Sequence, residues 1–496
     1  MKKKLAILLV CLAFAACASA GGSQPEKSAE NYVGNFAETV TEIERPLISE
    51  GTNYGEYVFR VVIPNTYIGG NTCEEVWVEA ENGEPLNDAV YRRNSIVESL
   101  LNIQIKSVTA NAGTLELAAY VNKIILSDSD EFDAVCGGHW THISLLQSKC
   151  LVNLYNIPNI DLSKKWWDQR MVEDMSYMKS KLYYICGDIN YFDKYGIGIM
   201  MFNKRLFDDN GLVYPYDQVR TGKWTFAEFT KLVKDFSRDL NGDGKMDEND
   251  QWGIIENAGA LIHFLPSCGE KIVTLDREGS FVFNSLNERH IKVVSTLCEV
   301  LSDKTITLFA DADQLRHLKD GYEDGIYKAF RNGQVLFSPV AVLGIVKEFR
   351  DMEDDFGYLP FPKFDEIQSE YYHFVSYGWG SSYGVPITNQ NLDRTGMILE
   401  VMAGYSTDLI IPALIDVSLK SKFARDLESE EMLEIIINTK SYDWGIDFNI
   451  GTLVGGGPYY SSAHNGFSTF VSSVEKLVPK VEADIDKLTN LFEEMN

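Results

Sequence analysis

The chain has 496 residues, and its 72 acidic side chains against 45 basic ones give a formal net charge of −27 at pH 7. A surface this negative repels nucleic acid and anionic lipid, so the composition excludes both as favoured partners. About 440 residues beyond an N-terminal leader and linker exceed what one hydrophobic core usually holds, and two lobes are therefore expected.

The N-terminal segment has the pattern of an export signal. Three lysines precede an apolar run over 5–14, which is too short to span a bilayer as a mature helix. Two alanines then precede Cys17, which resembles the lipobox of bacterial lipoproteins, with Phe14 where that box usually has Leu. The resemblance implies cleavage of the signal peptide 1–16, lipidation of Cys17 and anchoring on the extracytoplasmic face of the cell membrane. Ordinary cleavage a few residues later, with release, is the alternative.

The segment 17–52 is polar, lacks periodicity and is expected to be a flexible tether. No later run is long and apolar enough to predict a transmembrane helix. Six cysteines remain beyond the leader, and none has the close spacing of zinc or redox motifs. Both a disulfide among them and plain core thiols stay open; these residues are Cys73, Cys136, Cys150, Cys186, Cys268 and Cys298.

The first half of the chain alternates predicted strands and helices. Strands are expected at 57–62, 103–105 and 132–136, with one helix capped by Asn87 or Asp88 and another starting at Thr114. This β-α-β-α-β order favours a parallel sheet with helices on both faces. Ligands of such sheets lie beyond the carboxyl ends of the strands, where His139 and Trp140 are placed.

A second unit of the same class follows. Predicted strands are 182–185, 196–203, 334–342 and 356–361, and Thr225 with Glu228 forms a capping box before an amphipathic helix. A strand at 382–386 and a helix over 395–403 are expected to return to the first lobe. Near the C-terminus, Pro479 is expected to separate two helices.

The segment 239–250 has the spacing of a calcium loop. Oxygen donors stand at loop positions 1, 3, 5, 9 and 12, glycine stands at position 6, and position 7 supplies a backbone carbonyl. An acidic turn without a metal is the alternative. The predicted ligands of a structural Ca²⁺ are Asp239, Asn241, Asp243, Lys245, Asp247 and Asp250.

Several stretches together resemble the extracellular solute-binding proteins of family 1, the sugar-binding group of bacterial ABC importers. The resemblance implies an α/β, two-lobed periplasmic-binding-protein-like fold of type II, with crossing hinge strands and a cleft that closes on its ligand. It also implies a monomer that delivers a carbohydrate, such as an oligosaccharide, to ABC permease membrane subunits. The stretches are 166–168, 201–212, 223–229, 239–244, 252–254, 423–432 and 441–445.

The resemblance and the element order divide the chain at the expected hinge. Lobe 1 is predicted to comprise residues 53–186 and 358–412, and lobe 2 residues 187–357 and 413–496. The resemblance does not fix ligand residues, so candidates are chosen by position, and packing is the alternative role for each. Trp224 and Trp252 are expected to be structural. The ligand candidates are His139, Trp140, Asp188, Asn190, Tyr377 and Trp379.

Three alternative functions remain. A peptide or another non-sugar solute could bind on the same fold, and a surface adhesion or scaffold protein would bind no small molecule. A secreted glycan-active enzyme is disfavoured, because no pair of carboxylates is placed across a cleft and the nucleophile-elbow, P-loop and HExxH motifs are absent. A dockerin-bearing glycosidase would carry two calcium loops near a chain end, whereas this chain has one in its middle.

Overall fold

The first main sheet has four strands in the order β12-β3-β1-β2. In the computed structural model, β1 pairs in parallel with β2 and β3, whereas β12 pairs antiparallel with β3. The predicted β-α-β-α-β run and the late return of the chain are thereby confirmed. The strands are β1 (Tyr57–Ile63), β2 (Ile103–Thr109), β3 (Ala134–Gly138) and β12 (Ser381–Gly384).

The second main sheet has five strands in the order β10-β4-β9-β5-β8. β5 is parallel to β8 and β9, and β4 is antiparallel to β9 and β10, so the sheet is mixed. The strands are β4 (Gly198–Asn203), β5 (Trp252–Glu256), β8 (Thr307–Phe309), β9 (Val335–Ala341) and β10 (Phe356–Leu359).

Two short pairs complete the sheets. β6 (Val273–Leu275) and β7 (Phe281–Phe283) form an antiparallel pair, and β11 (His373–Phe374) runs parallel to β13 (Lys440–Ser441). The structure describes residues 44–67, 73–247, 250–309, 322–342, 349, 352–376, 378, 380–415 and 427–495. Cys17, Tyr377 and Trp379 lie outside these residues.

Helices cover both main sheets, as the predicted fold class requires. The segment Arg45–Asn496 packs as one unit. The α-helices are Pro85–Leu101, Leu117–Leu126, His139–Gln147, Gln169–Met175, Phe192–Tyr195, Lys204–Asp209, Tyr216–Arg220, Phe226–Phe236, Ala260–Ser267, Glu288–Leu301, Tyr322–Arg331, Leu392–Pro412, Leu427–Asn438, Trp444–Asp447, Pro458–Asn465 and Phe470–Glu494.

Among the residues that the structure describes, one helix is long and apolar enough to cross a membrane, although none was expected after the leader. This helix, Leu392–Ile415, has a mean hydropathy of 1.5. However, 56% of the most apolar 18-residue stretch of this helix is buried inside the protein. The helix also packs against the helix Pro85–Leu101. These contacts are typical of a core helix.

The predicted lobe boundary at 357/358 falls inside a strand. Phe356 pairs with Asn203 and Leu359 with Met200, so all of β10 belongs to the second main sheet. The chain therefore leaves that sheet after Leu359. The predicted strand 182–185 is also wrong, because this segment makes only isolated bridges, such as Ile185 with Tyr383.

Two predicted helix starts are displaced. The first helix begins at Pro85, because proline suits the first helical turn, where its missing N–H is not needed. Asp88 instead accepts the backbone N–H groups of Asn82 and Gly83 at 2.9 and 3.2 Å. The next helix begins at Leu117 rather than at Thr114.

The C-terminal helix Phe470–Glu494 passes through Pro479 without a break, contrary to the prediction. Proline inside a helix costs about 3 kcal/mol. Val474 and Val481 are fully buried on either side of it, and Leu488 is buried further along. Since both halves bury apolar side chains in the same core, this burial outweighs the cost of the proline.

Thr225 is the N-cap, because its side chain accepts the backbone N–H of Glu228 at 3.4 Å, which is one of the two hydrogen bonds of the predicted capping box. The helix that it starts buries Phe229 and Val233. Trp224 and Trp252, which flank this region, are also buried, as expected for structural side chains.

Candidate functional site

The chain crosses from the first main sheet to the second over residues 187–197. At the start of this crossing segment, the backbone N–H of Asp188 donates to the carbonyl of Trp166 at 2.7 Å. A Cβ on Gly187 would lie 2.2 Å from that same carbonyl oxygen, so only glycine fits there. The crossing segment is therefore fixed against the Trp166–Trp167 turn by backbone contacts.

Two adjoining cavities open beside the crossing segment. The smaller has a volume of about 250 Å³ and is lined by Trp167, Asp168, Asp188, Lys194, Asn438 and other residues. The larger has a volume of about 440 Å³, and its lining includes Glu173, Asp174, Lys271, Asn284, Asn287 and Tyr372. Arg170 and Lys440 line both cavities. Each cavity thus brings together residues from both predicted lobes.

Lys440 connects two buried carboxylates at this site. Its Nζ pairs with Asp168 and lies 2.8 Å from Asp193 Oδ2. Lys194 lies 2.9 Å from the other oxygen of Asp193 and donates to the carbonyl of Asn190 at 3.0 Å. Two lysines and two aspartates therefore form a buried cluster with no net charge, which we call the hinge cluster.

Asp168 and Lys440 stay ionised at ordinary pH. Burial alone would raise the pKa of Asp168, but Lys440 outweighs it and holds this pKa at about 2. Burial lowers the pKa of Lys440, but Asp168 and Asp193 together raise it well above its usual value. Tyr442 also donates its hydroxyl to Asp168 at 2.9 Å. Within the hinge cluster, each lysine therefore has a carboxylate partner.

The cations of the larger cavity are paired in the same way. Lys271 Nζ lies 2.5 Å from Asp174 Oδ1, and Arg170 forms an ion pair with Glu370. The guanidinium of Arg170 also lies 5.8 Å from the ring centre of Tyr372. A cavity with neutralised charges, amide groups and one aromatic ring suits a neutral polyhydroxylated molecule better than an anionic one.

Among the predicted ligand residues that the structure describes, Asp188 is the one that lines either of these two cavities. Its side chain is partly exposed and accepts the hydroxyl of Thr407 at 2.6 Å. Burial raises the pKa of Asp188, while Lys194 acts in the opposite direction. Asn190, by contrast, is fully buried and donates to Ser381 Oγ at 3.1 Å, which joins the crossing segment to β12.

His139 lies inside the protein, in contact with the rings of Tyr184 and Tyr442 at centroid distances of 5.8 and 5.9 Å. Its backbone N–H donates to Gly380, and neither ring nitrogen has a hydrogen-bond partner among the described residues. Burial lowers the pKa of His139 to about 3, so the ring is neutral. Trp140 follows at the surface with 37% of its area exposed. Neither side chain lines the two cavities.

The sequence analysis did not select Arg170, Tyr372 or Lys440. Asp168 ends the Trp-Trp-Asp stretch that supports the family resemblance. This stretch was the one feature of the sequence that could have pointed to Asp168 as a residue of the site. Lys440 is separated from Asp168 by 272 positions, so no local pattern could indicate their pairing.

The acidic loop folds around its own backbone. Asp239 accepts the N–H groups of Gly242 and Gly244 at 2.6 and 2.8 Å, and the buried Asp250 accepts those of Leu240 and Asp247 at 2.9 and 2.8 Å. Both glycines have a positive φ, at 73° and 81°. The first and last carboxylates thus face the loop interior, and the all-oxygen donor set fits a hard cation.

Compact three-residue groups of potential metal ligands are found elsewhere among the described residues. One consists of Cys73, Glu75 and Cys136, and the other of Asp168, Cys186 and Asp193. In the second group, Lys440 pairs with both carboxylates, and Lys194 pairs with Asp193 as well. That group is therefore accounted for by the hinge cluster.

Comparison with known proteins gives a likeness in structure. No family model and no curated protein sequence matches the chain. A sugar transporter from Rhizobium etli, in an open conformation, is 14% identical in sequence and gives a TM-score of 0.55. The alignment covers 86% of this chain and 99% of the transporter chain. UspC from M. tuberculosis is 13% identical over 86% of this chain and 99% of its own, with a TM-score of 0.54.

The maltose/maltodextrin-binding domain MalE from Bdellovibrio bacteriovorus, bound to maltotriose, is 12% identical, covers 86% of this chain and 100% of its own, and gives a TM-score of 0.50. This chain has the two-lobed solute-binding fold. At these identities the likeness establishes the fold, and it agrees with the α/β class predicted from the sequence.

Proposed function

We propose that this chain is the substrate-binding lipoprotein of an ABC importer and captures a neutral carbohydrate, such as an oligosaccharide. The observation that carries this proposal is the pair of polar cavities lined by residues of both predicted lobes. In the larger cavity Arg170 and Lys271 are paired with carboxylates, and Tyr372 offers an aromatic ring to the C–H face of a sugar. The solute-binding fold supports the same function.

Capture follows from a hinge between two states. A ligand that contacts Asp174 on one side and Asn284 on the other binds the closed state better than the open one. Its binding energy then shifts the population toward the closed state, which the permease subunits recognise. The cavity binds and orients the sugar without breaking a bond, so incubation with a glycan panel is expected to yield no cleavage products.

The experiment is a thermal-shift screen of neutral oligosaccharides, uronic-acid oligosaccharides and peptides. A ligand at 100 times its Kd stabilises the folded state by about 2.7 kcal/mol. We expect shifts with neutral glycans, and loss of the shift in Tyr372→Ala. Tyr91→Ala is the matched control, because Tyr91 is 37% exposed on the first helix, outside both cavities.

Other outcomes of the screen identify the alternatives. Shifts with peptides alone would replace the carbohydrate by a peptide solute on the same fold. No shift with any small molecule would contradict solute capture and favour a surface adhesion role.

Lipidation at Cys17 belongs to the same proposal, as do anchoring at the extracytoplasmic membrane face and a monomeric state. The signal-like sequence, with two alanines directly before Cys17, supports the lipid anchor. Cys17→Ala is expected to move the protein from the membrane fraction to the medium or periplasm. Retention of this variant in the membrane would contradict the lipid anchor.

We further propose that the loop 239–250 binds a structural Ca²⁺ through Asp239, Asn241, Asp243, Lys245, Asp247 and Asp250. The inward carboxylates of Asp239 and Asp250 support it. A chelator is expected to lower the melting temperature of the wild type but not that of Asp239→Asn. Asp276→Asn, in another exposed aspartate–glycine turn, is the control and should keep the response. An unchanged melting temperature in chelator would favour a metal-free turn.

A further inference from the structure

Cys73, Glu75 and Cys136 form a buried group beside the crossing segment, outside both cavities. The two sulfurs and a carboxylate oxygen lie within 4.8 Å of one another. The side chains are at most 4% exposed. Cys136 is the middle residue of β3, whereas Cys73 lies two residues before Glu75 in the connection between β1 and the first helix. Two cysteines far apart in sequence are thereby brought together in the core.

The carboxylate of Glu75 already has partners. One oxygen accepts the backbone N–H groups of Tyr191 and Phe192 at 2.9 and 3.1 Å. The other accepts the thiol of Cys136 at 3.3 Å. Little of its acceptor capacity remains for a metal ion, so the group differs from an open ligand set.

The thiols are also poorly suited to a metal. Burial raises the pKa of Cys136 well above its usual value. The hydrogen bond with Cys136 lowers the pKa of Cys73, but burial and the carboxylate of Glu75 together raise it. Metal binding would require both thiols to lose their protons and leave charge in an apolar core. A sulfur–sulfur bond carries no charge and removes two weak donors from that core.

We propose that Cys73 and Cys136 form a disulfide bond in the exported protein. The proposal rests on the export that is part of the proposed function, because disulfides persist outside the cytoplasm. Both thiols are reduced in the structure, and their Sγ atoms lie within 4.8 Å of each other, so the two side chains must approach further to reach the disulfide bond length of about 2.05 Å.

The oxidation takes place during folding, before the group is buried. A new bond forms between the two Sγ atoms, and both S–H bonds break. The two electrons reduce the disulfide of an extracytoplasmic dithiol oxidase, and the two protons are taken up by its thiolates, so that the oxidase leaves as a dithiol.

The bond would hold the connection that contacts the middle of the crossing segment. Arg93 donates to the carbonyls of Glu75 and Val76 at 3.0 and 3.1 Å, and Glu75 holds the N–H groups at the start of the helix Phe192–Tyr195. A covalent link from Cys73 to β3 therefore ties this connection to the first main sheet. It gives the hinge a fixed attachment on that side.

The other described cysteines have different neighbours. Cys150 contacts the amide oxygen of Asn122, and Cys186 lies 3.2 Å from the hydroxyl of Tyr442. Cys298 lies 3.6 Å from the carbonyl of Ser462. Among the described groups of potential metal ligands, the one that holds two cysteines is that of Cys73 and Cys136. Cys268 and the three cysteines above have no second cysteine in such a group. We expect one disulfide and four thiols among the six described cysteines.

Thiol alkylation of the exported, full-length protein tests the proposal. The protein is purified without reductant, denatured and alkylated before and after reduction. We expect four of the six described cysteines to react before reduction and all six after it. Tryptic cleavage should yield peptide 61–92 linked to peptide 124–149, and this linked species should disappear on reduction.

Two variants make the test specific. In Cys73→Ser, all five remaining cysteines should react without reduction. In Cys150→Ser, a control with an equally buried thiol, the linked peptides should persist and three cysteines should react before reduction. Reactive Cys73 and Cys136 in the unreduced wild type would overturn the proposal. Stoichiometric zinc that protects both thiols would also overturn it.

The outcome is independent of the sugar screen. Linked peptides in a protein that binds no glycan would leave the disulfide standing and reject the proposed function. Glycan binding by a protein with two free thiols at these positions would support the proposed function and reject the disulfide.

Discussion

Lys440 determines the charge balance at the start of the hinge. It is 7% exposed and pairs with both Asp168 and Asp193, which are themselves buried. Removing one partner of a buried ion pair leaves an uncompensated charge in a medium of low polarity. The contribution of Lys440 therefore differs in kind from that of a surface lysine.

Lys440→Met is expected to lower the free energy of unfolding by about 3–5 kcal/mol, because Asp168 is left without its main counter-ion. Lys480→Met, which removes an exposed pair with Asp484, should change it by less than about 1 kcal/mol. Urea unfolding at pH 7 measures both. Equal effects in the two variants would contradict the structural role of the hinge cluster.

Glu400 makes the stability of the folded protein depend on pH. It is 5% exposed, accepts the indole N–H of Trp167 at 2.8 Å, and burial raises its pKa to about 7. An acid whose pKa is raised on folding stabilises the native state below its unfolded pKa. This stability is lost as the pH rises through the folded pKa.

We therefore expect the contribution of Glu400 to fall between about pH 4.5 and pH 7, by up to about 3 kcal/mol. Glu400→Gln keeps the acceptor for Trp167 and should flatten this part of the stability profile. Urea unfolding at a series of pH values measures it. An unchanged slope in the variant would show that Glu400 does not titrate in this range.

At the scale of elements, the crossing segment depends on close backbone packing. Gly187→Ala would place a Cβ 2.2 Å from the carbonyl oxygen of Trp166, so the segment must move. We expect a loss of about 1–3 kcal/mol in stability and weaker glycan binding, because Asp188 moves with it. Denaturant unfolding and the thermal-shift screen measure the two effects.

Gly455→Ala is the matched control for this variant. A Cβ on Gly455 would meet only the amide nitrogen of Asn449, at 3.9 Å, which is ordinary van der Waals contact. Wild-type stability is expected for Gly455→Ala. A similar loss at both glycines would show that the contact with Trp166 is not the cause.

Element prediction succeeded where one pattern determined the outcome. The apolar alternation of β1 to β3 and the N-cap at Thr225 are local, and the structure has both. The prediction failed at Pro479 and at 182–185. In the first case, burial on both sides of the proline outweighs its local cost. In the second, an apolar run packs in the core with isolated bridges instead of a continuous ladder.

For the whole molecule, the two main sheets and the chain crossings between them predict a change of shape. A bound glycan is expected to favour the closed state by a few kcal/mol. Small-angle scattering should then show a smaller radius of gyration with saturating ligand, and Tyr372→Ala should need more ligand for the same change. A ligand-bound protein of unchanged dimensions would contradict closure.

The sequence by itself determined the fold class, the order of most elements and the acidic loop, because periodicity, caps and turn residues act over a few positions. Only the tertiary structure decided which polar side chains meet. Asp168 with Lys440 and Cys73 with Cys136 are far apart in sequence, and their contact depends on how the chain crosses between sheets. The same long-range packing buries His139 and leaves Asp188 at a cavity.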